Sequence, residues 1–224
     1  MDNLKNIFYQ LNQNQTKICR KKSFINSSLI NLEDYTNYNF SDSYDYKYNI
    51  WFILYYLNNE INDKTYIEQN KLFKEYMMSM IDRIGQDKKN KSFYNKKEVS
   101  NSIQNILNTG ISTKIYLSMI YSVNIIILYL KNDICIQYGN HEDSIFLVYD
   151  NDRMNLYYNK DNYMSDVDKD KIINYETLKN YKKLKIAELR DLSEKLKIDL
   201  KINDKNKTKA LLIQDIDRFL DNLL

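Results

Sequence analysis

Residues 124–158 read NIIILYLKNDICIQYGNHEDSIFLVYDNDRMNLYY, and this stretch decides the fold class. The run NIIILYL is short and rich in β-branched residues, as a buried strand is. The segments ICIQY, SIFLVY and MNLYY follow it, separated by turn signals at 131–133, 139–141 and 150–153. We therefore expect four strands in a small, mainly antiparallel meander.

Helical patterns precede these strands. The apolar run 50–57 ends at Asn58-Asn59 and predicts a buried helix. Apolar residues recur at helical spacing over 72–84 and again over 99–107, and we expect Gly85 and Gly110 to cap the two helices. Weaker patterns predict helices over 4–11 and 114–121. Helices packed on a small sheet make the predicted fold class α+β.

The composition limits the classes of function. Of 224 residues, 43% are apolar, which is enough for one ordinary domain and a small appendage. Lys and Arg number 33 against 30 Asp and Glu, so net charge alone does not indicate a nucleic-acid partner. Two cysteines cannot build a disulfide framework or a zinc site, which favours a reducing compartment. The apolar tract 115–130 is shorter than a span of about 20 residues, so we expect a soluble intracellular protein and no membrane contact.

Two short amphipathic segments close the chain. Residues 184–216 read LKIAELRDLSEKLKIDLKINDKNKTKALLIQDI. Leu189, Leu192 and Leu196 mark one face of a first helix, and Leu212 and Ile216 mark a second. Thr208 is placed to cap the second helix at its N-terminus. Helices of this length are marginal alone, so we expect them to pack together as a hairpin.

This hairpin resembles the SAP motif, a helix-extended-loop-helix module that generally binds DNA. The resemblance rests on LKIAELRDLSEKLKI and on KTKALLIQDI, where Lys207-Thr208-Lys209 and Leu212 match the basic pair and the buried leucine of the motif. Family members usually carry a glycine before the basic pair, whereas this loop reads NDKNK. The resemblance implies duplex DNA as the partner.

Basic side chains cluster before each helix of the predicted hairpin. Basic groups and free backbone N–H groups at a helix start both favour phosphate, so we expect binding to the DNA backbone. No helix face groups the Asn, Gln and Arg residues that would read base edges. Acidic residues within the hairpin leave a second interpretation open, a charged surface that binds protein. The candidate DNA-binding residues are Lys182, Lys183, Lys185, Arg190, Lys205, Lys207 and Lys209.

The order of elements before the hairpin resembles the OTU-type cysteine proteases of large cytoplasmic DNA viruses. The resemblance rests on the helix IWFIL, two amphipathic helices, the strand NIIILYL and SIFLVYDNDRMNLYY. In that family a cysteine heads the first buried helix and a histidine follows a later strand. Here those positions fall near Trp51-Phe52 and near 153–155, and neither residue is present. The resemblance implies a fold without its catalytic pair.

Other chemistry has little support in the sequence. His141 is the only histidine and would have to meet Cys19 or Cys135 to activate a thiolate. Basic neighbours of Cys19 favour reactivity, whereas Cys135 alternates within a strand and is expected to be buried. Residues 161–170 space carboxylates like a calcium loop but lack its glycine and its bidentate glutamate. We expect no catalytic residue, no metal and no cofactor.

The sequence thus predicts a segment 1–40 without clear pattern, an OTU-like body over 41–160, a polar linker over 161–183 and a SAP-like hairpin over 184–224. We expect the linker to be mobile and open to proteases. The predicted function is a non-enzymatic protein of a large DNA virus, in the host cytoplasm or the virion, that tethers an unknown protein partner to duplex DNA. An OTU-like protease or deubiquitinase, and a protein interaction module without DNA binding, are the alternatives.

Overall fold

The computed structural model describes residues 36–38, 48–59, 64–87, 93–104, 110–150, 153–158 and 169–223. Within these ranges the fold class is α+β, as predicted. The predicted helix over 4–11 lies outside them. The helices are α1 (Ile50–Asn58), α2 (Tyr66–Gln86), α3 (Lys96–Gln104), α4 (Ile111–Tyr121), α5 (Tyr175–Asn180), α6 (Ile186–Lys195) and α7 (Lys209–Leu223). Short 3-10 turns lie at Lys169–Lys171 and Tyr181–Lys183.

Eight strands form two sheets in the described part of the chain. The larger sheet has six strands in the order β1-β5-β4-β2-β3-β6, and β7 and β8 form a separate pair. The strands are β1 (Thr36–Tyr38), β2 (Asn124–Tyr129), β3 (Ile134–Tyr138), β4 (Ser144–Asp150), β5 (Arg153–Tyr158), β6 (Ile172–Asn174), β7 (Lys201–Ile202) and β8 (Lys205–Asn206).

The four predicted strands are present, but the predicted meander is wrong. Strand β4 pairs with β2 in parallel, so β2 lies between β3 and β4. All six residues of β2 are buried, which suits a central strand better than an edge strand. The side chain of Asn124, at the start of β2, binds the connection that leads from β3 to β4. Its amide donates to the carbonyl oxygen of His141 at 2.7 Å, and its Oδ1 accepts from the His141 N–H at 2.8 Å.

Polar capping residues set where the helices begin, and these residues lie outside the apolar pattern from which the helices were predicted. Helix α2 begins well before Leu72, because Thr65 and Glu68 form a reciprocal cap in which the Thr65 N–H donates to Glu68 Oε2 at 2.9 Å. Gly85 lies inside α2 and does not cap it. Gly110 is the N-cap of α4 and does not end α3 in the way we expected.

The predicted linker is also wrong from Lys169 onward. Strand β6 pairs in parallel with β3 and adds an edge to the main sheet. Helix α5 follows directly, and the side chains of Ile173, Leu178 and Tyr181 are buried. Ordered backbone pairing and buried apolar side chains therefore connect the sheet to the C-terminal helices. At the other end, 36–38, assigned to the segment without clear pattern, pair with β5 as an edge strand.

One contiguous apolar core joins the body and the C-terminal helices. Leu189 and Leu192 of α6 and Leu212 and Ile216 of α7 belong to the same buried cluster as the sheet. An ion pair between Lys197, after α6, and Asp133, in the turn between β2 and β3, links the two regions at the surface. The helical pair is therefore packed into the fold and is not hung on a flexible tether.

Candidate nucleic-acid interface

Helices α6 and α7 pack against each other through the apolar faces that the sequence predicted. A tight β-hairpin connects them, in place of the extended loop of the SAP motif. Its two turn residues, Asn203 and Asp204, have φ angles of 49° and 60°. Positive φ at both positions defines the type I′ turn that suits two-residue hairpins, and Asn and Asp tolerate it well.

The start of α7 lies next to the start of α6. Lys209 donates from Nζ to the carbonyl oxygen of Leu184 at 2.6 Å. The Lys207 N–H donates to the Leu200 carbonyl oxygen at 2.8 Å, which closes the base of the hairpin. The hydroxyl of Thr208 accepts from the Leu211 N–H at 3.4 Å, so the predicted cap is confirmed. The two basic clusters that the sequence separates by about 20 residues therefore lie side by side.

Two of the seven candidate DNA-binding residues form ion pairs with acidic residues of α7. The Lys207 ammonium lies 2.8 Å from Asp215 Oδ2, and the Lys207 side chain is only 11% exposed. The Lys182 ammonium lies 3.0 Å from Asp217. Hydrogen bonds from the Tyr181 hydroxyl and from Lys182 hold the pKa of Asp217 below its ordinary value. The Lys207 ammonium is therefore not available to bind a phosphate, and Asp217 compensates the charge of Lys182.

The other five candidates have no acidic partner among the described residues. Lys183, Lys185 and Lys205 are exposed, Arg190 is half-buried, and none forms an ion pair with another residue that the structure describes. Lys209 is exposed as well, and its ammonium donates to the Leu184 carbonyl oxygen. The four lysines lie before or at the starts of α6 and α7, and Arg190 lies within α6.

Sequence reasoning missed two exposed residues at the same end of the helical pair. Lys201 in β7 faces Asn206 across the hairpin and adds a further positive charge. Ile202 beside it is 52% exposed. The signal that would have found them is the Asn-Asp turn, because a two-residue hairpin fixes which residues flank its tip.

Two of the three acidic residues of α6 lie away from the helix start. Asp191 and Glu194 are exposed in its second half. Glu188 lies in the first turn and accepts from the Lys185 N–H at 2.7 Å, so it caps the helix backbone. Basic residues therefore outnumber acidic ones around the starts of α6 and α7, where Glu188 and the exposed Asp204 contribute negative charge.

The two stretches that the OTU resemblance aligns with the catalytic cysteine and histidine lie side by side. The Met154 N–H at the start of β5 donates to the Tyr48 carbonyl oxygen before α1 at 3.2 Å. The Arg153 guanidinium lies 4.8 Å from the centre of the Tyr48 ring. The head of α1 holds Trp51 and Phe52, both fully buried, and the Trp51 indole donates to Ser102 Oγ at 3.2 Å. Aromatic side chains therefore fill the head of α1.

Cys135 lies in strand β3, and His141 lies in the connection between β3 and β4. Cys135 is fully buried, and burial raises the pKa of its thiol to about 12, so it stays protonated near neutral pH. The backbone of His141 is held by Asn124 at the crossover between β3 and β4. We expect Cys19 to lie far from His141, and this stays a prediction because Cys19 lies outside the described residues.

Among the described residues, no group of three or more His, Cys, Asp or Glu side chains is arranged to hold a metal ion. Most of the calcium-like stretch 161–170 lies outside these ranges. No helix in the described part of the chain combines the length and the apolar character needed to cross a bilayer.

The functional proposal for this chain rests on the geometry of its described residues. No family model, no curated protein and no solved structure shows significant similarity to this chain.

Proposed function

We propose that this protein binds duplex DNA through the phosphate backbone, at the end of the helical pair where α6 and α7 begin. The observation that carries the proposal is the cluster of exposed basic side chains without acidic partners, formed by Lys183, Lys185 and Lys205. Lys209 joins it through its bond to the Leu184 carbonyl oxygen.

The arrangement favours phosphate over other anions or base edges. The cluster adjoins the first turn of α7, where backbone N–H groups without helical partners attract negative charge. Lysine ammonium groups attract phosphates as point charges and carry no base information. Binding is accordingly independent of DNA sequence and sensitive to salt.

The body serves as a non-enzymatic scaffold in this proposal. This follows from the resemblance of the body to OTU-type proteases, which implies a nucleophile near Trp51-Phe52, where the chain has two buried aromatic side chains. A body of this kind holds a protein partner near DNA, as a component of a large DNA virus in the host cytoplasm or the virion. Because the helical pair shares its core with the body, DNA and partner are held in a fixed relative orientation.

The test replaces Lys183, Lys185 and Lys205 with Ala in the full chain. Fluorescence anisotropy with a labelled duplex measures affinity between about 50 and 200 mM salt. Each lost phosphate contact lowers the log–log salt slope by about 0.9, so three lost contacts lower it by about 2.7. Because none of these side chains has an acidic partner, the variant should keep the wild-type melting temperature.

A matched control removes the same charge from the body. Lys64, Lys97 and Lys131 are exposed, have no acidic partner among the described residues, and lie shortly before α2, on α3 and in the turn after β2. Their replacement with Ala should leave the salt slope unchanged. If both triple variants lost the same amount of salt slope, net charge and not this cluster would explain DNA binding. If the first variant bound DNA as the wild type does, the cluster would be a protein-binding surface instead.

A further inference from the structure

Helix α2 carries a row of exposed apolar side chains. Ile67 is 83% exposed, Met78 71% and Ile81 42%, and the first two are the most exposed large apolar side chains in the described part of the chain. Residues 67, 71, 74, 78 and 81 recur at alternating intervals of four and three, which is the spacing of a coiled-coil seam. Lys71 and Lys74 lie between the apolar residues, and these five residues form the exposed row.

The exposed row is separate from the face by which α2 packs onto the body. The buried apolar residues of that face are Phe73, Met77, Met80 and Ile84. At 3.6 residues per turn, they lie roughly 110° around the helix from the exposed row. Single exposed apolar side chains are common on proteins, but several aligned at coiled-coil spacing indicate a surface that a second helix covers.

An acidic row lies directly beside the exposed row. Glu68, Glu75 and Asp82 are exposed and seven residues apart, so they share one line along α2. Glu68 caps the helix by accepting from the Thr65 N–H at 2.9 Å. Glu75 lies 3.9 Å from Lys71, and both side chains are more than half exposed, so this ion pair contributes little. Glu75 and Asp82 therefore give the exposed row a negative border.

The charges disfavour a second copy of the chain as the occupant. In a parallel pair of α2 helices, Lys71 and Lys74 would each meet the same lysine of the other copy. In an antiparallel pair, the two acidic rows would face each other. Like charges destabilise both arrangements, so the exposed row fits a different helix. The aliphatic stems of the two lysines can cover apolar surface of such a helix while their ammonium groups stay in water.

We propose that the exposed row of α2 binds an amphipathic helix of a partner protein. That helix has apolar residues at coiled-coil spacing and Lys or Arg in the row that faces Glu75 and Asp82. This surface rests on the proposed role of the body as a scaffold, and it is the place where the body holds its partner. From Ile67 to Ile81 the row spans about 21 Å, the length of two heptads, so the contact is small and reversible.

A synthetic peptide of three heptads, with Leu in its seam and Lys in both flanking rows, tests the surface. Fluorescence anisotropy of the labelled peptide measures its binding to the full chain. The Lys peptide should bind. The same peptide with Glu in place of Lys should bind at least about tenfold more weakly, because its charges repel Glu75 and Asp82.

Met78→Gln removes an apolar side chain from the exposed row. Since Met78 is 71% exposed, the melting temperature should not change, whereas the Lys peptide should bind at least about tenfold more weakly. Ile202→Gln is the matched control, because Ile202 is exposed but lies on β7, and it should bind the peptide as the wild type does. Glu75→Lys combined with Asp82→Lys should reverse the preference, so that the Glu peptide binds more tightly than the Lys peptide.

Failure of the Lys peptide to bind the wild type would overturn the proposal. So would wild-type binding by Met78→Gln, an equal loss in Ile202→Gln, or an unchanged preference in the charge-reversed variant. A wild-type dimer in sedimentation velocity that Met78→Gln dissociates would identify a second copy as the occupant instead. These variants keep Lys183, Lys185 and Lys205, so DNA binding by the same samples shows separately whether the DNA proposal fails.

Discussion

Lys205 and Lys207 are two residues apart, and the structure gives them different roles. Lys205 is exposed without an acidic partner, whereas the Lys207 ammonium lies 2.8 Å from Asp215 in a side chain that is 11% exposed. Replacing each one separately with Ala should separate DNA binding from stability. A combined replacement would mix the two effects.

The magnitudes follow from burial. Removing one partner of a fully buried ion pair costs about 3–5 kcal/mol. The Asp215 side chain keeps 24% exposure, and Arg218 Nη1 lies 3.7 Å from its Oδ1, so water and Arg218 partly compensate. We therefore expect Lys207→Ala to cost about 1–3 kcal/mol. At about 2–4 °C per kcal/mol for a chain of this size, the melting temperature should fall by roughly 2–12 °C. Lys205→Ala should change stability by less than about 0.5 kcal/mol.

Thermal unfolding followed by circular dichroism, together with the salt dependence of DNA binding, measures both effects. Lys205→Ala should lower the salt slope by about 0.9 and leave the melting temperature unchanged. Lys207→Ala should show the opposite pattern when binding is measured well below its melting temperature. The double variant Lys207→Met with Asp215→Leu should recover most of the lost stability, because no unpaired charge stays buried.

Two results would refute this reasoning. A lower salt slope without loss of stability in Lys207→Ala would show that this lysine contacts DNA. A double variant less stable than Lys207→Ala would show that the ion pair is not the source of the loss.

Three further predictions concern the body and its junction with the helical pair. Residues 172–183 should resist limited proteolysis, and early cleavage within them, detected by mass spectrometry, would contradict the strand and helix found there. Gly110→Ala should lower the melting temperature, because an added Cβ would lie 2.3 Å from Glu98 Oε1, whereas Gly85→Ala meets no atom within 4 Å and should be neutral or stabilising by up to about 1 kcal/mol. Burial raises the pKa of Tyr76 from 10.0 to about 12, so the folded chain keeps a proton that the unfolded chain releases. Tyr76 should therefore contribute nothing to the pH dependence of the free energy of unfolding below pH 10 and a fall of up to about 1.4 kcal/mol per pH unit toward pH 12. Denaturant titrations measure this contribution as the difference between the wild type and Tyr76→Phe, because other tyrosines with raised pKa, such as Tyr94 and Tyr121, add to the total fall.

The sequence by itself determined the secondary structure of the main elements. NIIILYL, ICIQY, SIFLVY and MNLYY form strands, and the apolar stripes form helices, because each pattern depends on residues a few positions apart. The cap at Thr208 was predictable for the same reason, since its partner lies three residues away. The proximity of the two basic clusters also followed, once the helices were expected to pack along their apolar faces.

Only the tertiary structure decided the order of the strands and the state of the lysines. The parallel pairing of β2 with β4 depends on the bonds between Asn124 and His141, which are 17 residues apart. The edge strand β6 follows the polar residues 169–171 and was not predicted. Its apolar pattern is too short to indicate a strand, and its pairing with β3 defines it. Lys207 and Lys205 have the same chemistry in the sequence. They differ in the folded protein because the direction of helix α7 brings Asp215 to one of them and leaves the other in solvent.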